Sequence, residues 1–272
     1  MSTYSTLIAF EDLQPGMLLI EASFDLSDTA AGELAYAAGH LPGAHYLHLD
    51  RDLSGAKTGS NGRHPLPDRA AFAARMRALG LSKGTQVVAY DRQGGMYAAR
   101  LWWMLRWIGH SAVAVLDGGP QAAMTTNVPQ PQAGNFELGQ MSVSLTPMFD
   151  ASALQAQLGN VRLIDARAPE RFRGEVEPLD KKAGHIPGAA NRLFKLNLQD
   201  NGTFKPAAVL RAEFDQLLAP FSASDVVHQC GSGVTACHNL LAMEYAGLQG
   251  SALYAGSWSE WSSDPARPVA IG

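Results

Sequence analysis

Residues 225–237 read DVVHQCGSGVTAC, and this stretch decides the fold of the half of the chain that contains it. Val226 to Gln229 has the character of a short buried strand, which delivers Cys230 into a loop holding Gly231 and Gly233. A helix is expected from about Val234, with Val234, Cys237, Leu241, Tyr245 and Leu248 as its inward stripe. A strand, tight loop and helix in this order set a sulfur over the positive end of a helix, among unpaired backbone N–H groups. That setting favours the thiolate, the form of cysteine that attacks. Gly231 and Gly233 let main-chain donors crowd a bound anion, and the hydroxyls of Ser232 and Thr235 lie within the same turn. Cys230 is therefore the candidate nucleophile. Cys237 falls on the helix's core stripe and reads as packing, with a redox partnership as its alternative.

The same pattern occurs twice. Leu163-Ile164-Asp165 matches Leu19-Ile20-Glu21, an offset of 144 between the two isoleucines. AGHIPGA around His185 matches AGHLPGA around His40, an offset of 145. Val226 to Cys230 matches Val87 to Asp91, an offset of 139. Ordered correspondences at near-constant spacing indicate a tandem duplication. Each half alternates strands and helices, which predicts an α/β fold with a parallel sheet covered by helices on both faces. Ligands in such sheets sit at the carboxyl ends of the strands. Asp91 stands where Cys230 stands, so the first copy keeps the scaffold without the nucleophile. The expected division is a non-catalytic domain over 1–124, a linker over 125–149 rich in polar residues and proline, and a catalytic domain over 150–272.

Composition narrows the function. The 272 residues are 46% apolar and 17% charged, which describes a globular protein with a substantial core. A net charge of −4 gives no support to a nucleic-acid partner or a polybasic membrane contact. No apolar run reaches the length of a membrane helix, and MSTYSTLIAFEDL lacks the pattern of a signal peptide. Two cysteines make no disulfide framework, so a reducing, cytoplasmic setting is expected.

In the first half, strands are expected at Met17 to Glu21, in a short run ending at Asp50, at Thr85 to Tyr90 and at Val113 to Leu116. Helices are expected over 69–79 and 97–110, with 51–68 as an irregular loop. Trp102, Trp103 and Trp107 share one helix and read as core or domain packing. His40, His45 and His48 lie close in sequence, but an alternating strand turns His45 and His48 to opposite sides, so no metal site is expected.

The chain resembles the tandem-domain sulfurtransferases, rhodanese and 3-mercaptopyruvate sulfurtransferase, over nearly its whole length. LIDARAPERFRGE with AGHIPGAAN resembles the opening of the catalytic domain, CGSGVTAC its active-site loop and YAGSWSEW its closing segment. GHLPGA and LDGG are similar to counterparts in the non-catalytic domain. The resemblance implies two rhodanese-like domains and a persulfide carried on Cys230, with no metal or organic cofactor. It implies an anionic sulfur donor, thiosulfate or 3-mercaptopyruvate, and an acceptor that is cyanide, a thiol or a reduced dithiol protein. Backbone donors from Gly231 to Thr235, including Val234, would surround the sulfur.

Within the family, Gly231 and Ser232 after the cysteine resemble the 3-mercaptopyruvate type, where thiosulfate enzymes carry basic residues. In that type a serine works with an aspartate and a histidine, here Ser232, Asp50 and His64. Arg171 matches the arginine that holds the donor's anionic end. A second arginine, expected a few residues on after Glu-Pro, is replaced by Leu179, and Lys181 and Lys182 are the nearest cations that could stand in.

Two other classes share parts of this pattern. Cysteine phosphatases use the same strand, loop and helix but need an arginine where Ala236 stands. Gly231-Ser232-Gly233 with Ala236 also fits a dinucleotide-binding fingerprint, in which a cysteine has no role and too little chain follows. A non-catalytic sulfur-carrier module of the same fold is a third alternative.

Overall fold

The computed structural model describes residues 3–122, 124–138 and 145–272. They form two compact units, each built on a five-stranded parallel sheet with the same strand order. In the first, β1 (Leu7–Ile8), β2 (Leu18–Glu21), β3 (His45–Tyr46), β4 (Val87–Tyr90) and β5 (Val113–Leu116) are arranged β1-β5-β4-β2-β3. Helices α1 (Ala31–Ala38), α2 (Arg69–Ala78) and α3 (Ala98–Trp107) complete it. In the second, β6 (Met148–Phe149), β7 (Arg162–Asp165), β8 (Ala190–Asn191), β9 (Val226–Gln229) and β10 (Ala252–Tyr254) repeat that order as β6-β10-β9-β7-β8. Its helices are α4 (Ala151–Ala156), α5 (Pro169–Phe172), α6 (Ala207–Leu218), α7 (Ala236–Tyr245) and α8 (Ser257–Trp261).

The duplication extends to register. Glu21 pairs with Tyr90 at the end of β2 and β4, and Asp165 pairs with Gln229 at the end of β7 and β9. The next residues are Asp91 and Cys230, so both occupy the carboxyl end of a central strand. Strands β4 and β9 are buried along their whole length, which is why β4 reads Val-Val-Ala-Tyr without polar alternation. Trp102, Trp103 and Trp107 are buried in the first unit, as their packing reading expected. Among the described residues, no helix is long and apolar enough to cross a membrane.

Four expectations need correction. The strand before Asp50 is only His45–Tyr46, because the amides of His48 and Asp52 turn the chain back, bonding to Asp52 Oδ2 at 2.8 Å and His48 O at 2.9 Å. Helix α7 starts at Ala236, since i→i−3 bonds from Cys237 and His238 wind Val234 and Thr235 into a tighter turn. It has no single inward stripe. Residues Ala236 to Met243 are all buried, His238 and Asn239 against a polar network with Asn197. The units are also not contiguous in sequence: residues 56–65 belong with the second unit and 199–204 with the first. The amide of Phe204, for example, donates to Asp117 Oδ1 at 2.8 Å. Of the expected linker, 139–144 lie outside the described residues, whereas Gly134 and Phe136 are tied by their amides to Arg77 O and Leu81 O.

His228 on β9 is fully enclosed, with Met243 Sδ 3.1 Å from Nε2. Burial, reinforced by the charge of Arg192, pushes its imidazole from 6.5 down to about 3. The unfolded chain takes up this proton first, so the group's contribution to stability is whole above pH 6.5 and is lost as pH falls toward 3. The slope attributable to it reaches about 1.4 kcal/mol per pH unit. Urea unfolding of His228→Gln between pH 6.5 and 4 should show a shallower loss than the parent. An unchanged slope would remove His228 from the acid response.

Candidate active site

Cys230 leaves β9 with 2% of its surface exposed, and its Sγ accepts the Gly233 amide at 3.2 Å. Gly233 has φ +76, and a Cβ there would lie 2.2 Å from the carbonyl oxygen of Ala255. Only glycine fits that turn. The turn that leads into α7 is closed by the amides of Cys237 and His238, which donate to Val234 O at 3.1 Å and Thr235 O at 3.2 Å. Cys237 is fully buried on that helix, its thiol donating to Gly233 O at 3.4 Å, in agreement with a packing role.

The first unit displays the same local fold with its anion built in. Asp91 is buried, and its carboxylate accepts the amides of Gln93 and Gly95 at 2.8 Å each, Tyr97 at 2.7 Å and Ala98 at 2.9 Å. Four converging donors at the start of α3 make a complete anion cradle. At the corresponding place in the second unit stands a sulfur.

The segment after β10 grips the Cys230 loop from outside. The Cys230 amide donates to Ser257 Oγ at 3.1 Å, and that hydroxyl donates to Tyr254 O at 3.0 Å. The amides of Trp258 and Ser259 donate to Cys230 O at 3.0 Å and Gly231 O at 2.9 Å. Ser257 holds φ +53, a strained conformation for a residue with a Cβ, and so is a positioning residue. Sequence reasoning noted YAGSWSEW only by resemblance, and nothing local in it announces this grip.

Residues 56–65 bring two side chains to the same place. His64 is buried, with Nδ1 2.8 Å from Ser232 Oγ, so the expected pairing of these two is formed. Asp50 lies in the first unit, half-buried, its amide donating to His48 Nδ1 at 3.1 Å. Arg63, which sequence reasoning passed over, donates from Nη1 to Asp180 Oδ1 at 2.7 Å. Its only sequence signal is its place beside His64 in RHPLPD.

Arg171 sits on the short turn of α5 and donates from Nη2 to Glu177 Oε1 at 2.6 Å and Asp180 Oδ2 at 3.3 Å. Glu177 in turn meets Arg167 at 3.4 Å, and Arg167 is paired with Asp165 at 2.7 Å. Burial raises the Asp180 carboxyl above the ordinary aspartate range, with Arg63 opposing and Glu177 adding to the rise. Lys182 is engaged elsewhere, on the Asp264 carbonyl at 3.2 Å, and Lys181 is exposed at the rim of a cleft that Leu179 also lines.

The rhodanese-like domain family matches this chain twice, over residues 17–124 and 150–264. A probable 3-mercaptopyruvate sulfurtransferase of Pseudomonas aeruginosa is 48% identical over 269 residues, covering 95% of this chain and 94% of the relative. A putative thiosulfate sulfurtransferase, SseB, of Mycobacterium tuberculosis is 41% identical over 251 residues, covering 90% of this chain and 88% of its own. The structure of 3-mercaptopyruvate sulfurtransferase from Leishmania major superposes with a TM-score of 0.84 at 27% identity, covering 95% of this chain and 74% of that one.

Proposed function

Because the chain belongs to the tandem-domain rhodanese and 3-mercaptopyruvate sulfurtransferase family, we propose that it transfers sulfur through a persulfide on Cys230. The observation that carries this reading is the Cys230 thiol at the end of β9, its sulfur accepting the Gly233 amide. The carboxylate held by four amides in the first unit supports it, since it marks this local fold as an anion cradle. Ala236, buried where a phosphatase needs arginine, offers phosphate no charged partner.

In the first half-reaction the Cys230 thiolate attacks the donor's outer sulfur. With thiosulfate the S–S bond breaks and its electron pair leaves with sulfite. With 3-mercaptopyruvate the C–S bond breaks, and the departing enolate of pyruvate takes up the proton that the donor thiol gives up. Ser232, hydrogen-bonded to His64, is placed to relay that proton, with Asp50 as the group proposed to orient the histidine. The amides of Gly231, Gly233, Val234 and Thr235 surround the anionic persulfide. In the second half-reaction cyanide, a thiol or a reduced dithiol protein attacks the outer sulfur and returns Cys230 to the thiolate. A reducing compartment, the cytoplasm, suits a carrier that oxidation would destroy.

The Ser232–His64 bond favours 3-mercaptopyruvate as donor, since thiosulfate cleavage needs no proton relay. The 48% identity to a probable 3-mercaptopyruvate enzyme supports the same choice. Mass spectrometry after incubation with each donor should find one added sulfur on the peptide bearing Cys230. Ser232→Ala should lower kcat with 3-mercaptopyruvate by about a hundredfold and leave thiosulfate turnover nearly unchanged. Equal losses with both donors would remove the relay from the mechanism. Absence of the added sulfur with either donor would end the proposal.

A further inference from the structure

Arg171, which the resemblance assigns to the donor's anionic end, stands on α5, a helix of four residues. A single turn does not hold itself in water, so α5 must be fixed from outside. The segment 173–184 leaves this helix and returns to it. Within it Glu177 Oε1 accepts Arg171 Nη2 at 2.6 Å and the amides of Leu179 and Asp180 at 3.1 and 3.2 Å, so the loop braces the guanidinium. The two ends of the loop meet at a neck. Gly174 and Gly184 have φ +79 and +112, and a Cβ on Gly174 would stand 3.0 Å from the Gly184 nitrogen.

Two sets of contacts close the neck. His185 Nδ1 lies 2.8 Å from Phe172 O, and since a carbonyl only accepts, Nδ1 carries the hydrogen. The imidazole also stacks on the Phe172 ring, with centroids 3.8 Å apart. Residues 268–272 form a strap across both ends. Ala270 exchanges backbone hydrogen bonds with His185 at 2.8 and 2.9 Å, and the Gly272 amide donates to Arg173 O at 3.0 Å. The strap lies so close that a Cβ on Gly184 would be 2.3 Å from Ala270 O. Trp261 Nε1 donates to Pro268 O at 2.8 Å and anchors the strap to the end of α8.

The first unit keeps the clamp without the loop. His40 Nδ1 is 2.9 Å from Tyr36 O, its ring stacks on Tyr36 at 3.9 Å, and its backbone pairs with Thr125. The offset of 145 from His40 to His185 also relates Thr125 to Ala270. There the histidine follows the residue it holds by 4 positions, against 13 in the second unit. Ala35, beside Tyr36, stands where Arg171 stands beside Phe172. The second unit thus carries a longer excursion that braces an arginine, and the same clamp shuts its base.

Resting on the sulfur-transfer reading above and on the place of Arg171 in it, we infer that His185 is a positioning residue for donor binding. Through Phe172 O and the strap it fixes α5 and the neck of the loop, so that Arg171 meets the donor in one orientation.

Steady-state kinetics of His185→Ala should show KM for thiosulfate and for 3-mercaptopyruvate raised about tenfold with kcat within about twofold, the loss of one buried hydrogen bond and a ring contact. His185→Asn, whose side-chain amide reaches the place of Nδ1, should recover most of the loss, and His185→Gln, one methylene longer, should not. Phe172→Leu keeps the carbonyl and loses the ring face. It should raise KM about threefold, and it decides the matter where the alanine variant does not fold. Lowered stability in urea with an unchanged KM would leave His185 a structural residue only and overturn the inference. In Arg171→Gln protein, His185→Ala should add less than about twofold to KM, because the group it positions is gone. A full further tenfold rise there would also overturn it. Calorimetric titration of each donor into Cys230→Ser protein, with and without His185→Ala, reads the same effect without sulfur transfer. Binding weaker by about tenfold supports the inference and unchanged affinity overturns it. A parent protein that gains no sulfur on Cys230, while the titrations still show the tenfold difference, overturns the persulfide reading alone.

Discussion

Cys230→Ser should abolish persulfide formation and lower turnover with either donor by about four to six orders of magnitude, the scale on which removal of a covalent nucleophile is felt. The serine hydroxyl is isosteric enough to keep the Gly233 amide and the Ser257 contact. It does not ionise at neutral pH, and an oxygen cannot carry the transferred sulfur. Cys237→Ser is the matched control. Its thiol is buried and donates to Gly233 O at 3.4 Å, a bond that a hydroxyl can also make. That variant should keep most of the activity and lose about 1 kcal/mol of stability or less. Intact-protein mass after donor treatment, with steady-state rates, separates the two. A dead Cys237→Ser beside an active Cys230→Ser would reverse the assignment of the two sulfurs.

Asp91→Ala should be the most destabilising single change in the first unit, by about 3 to 5 kcal/mol. Four amides now bonded to one carboxylate at 2.7 to 2.9 Å would be left buried around a void. The carboxylate also faces the start of α3, where the helix dipole favours a negative charge. Asp91→Asn keeps the shape and one acceptor oxygen, and should cost about half as much. The two units need not unfold together, so urea denaturation should be followed with probes placed in each. The expected result is an early transition confined to the first unit. A loss below about 1 kcal/mol for Asp91→Ala would mean that those amides are not held by the carboxylate.

The two variants test one physical idea from opposite sides. The first unit fills its cradle with its own side chain and thereby becomes structural. The second leaves a sulfur at the same point, the atom that the proposed mechanism makes the nucleophile. The exchange of a carboxylate for a thiol at the end of a central strand was visible in the alignment of Asp91 with Cys230. Its meaning rests on the hydrogen bonds around Asp91.

How far the sequence could be read depended on how local each feature is. The strand, glycine loop and helix around Cys230 were legible because their cause is local: a buried strand, a turn that only glycine allows, and a helix start within thirteen residues. The duplication was legible because three motifs recur in order. Arg171 was singled out through the ERFRG resemblance, and the structure places it beside Gly231. The inward stripe of α7 was misread because periodicity assumes one wet face, and this helix is enclosed on most sides by polar as well as apolar neighbours. Arg63 and Ser257 went unread as site residues. Arg63 reaches the loop from 196 residues before Ser259, the residue that holds its amide, and Ser257 lies 27 beyond Cys230.

By itself the sequence determined two α/β repeats, a single sulfur-bearing loop and the family to which the chain belongs. Those properties follow from burial patterns and backbone preferences that act within one strand, one turn or one helix. Only the tertiary structure decided that residues 56–65 join the second unit, that His64 meets Ser232, and that Arg63 and Arg171 converge on Gly231. Such meetings are set by the packing of segments distant along the chain, where each side chain's position depends on what the others exclude.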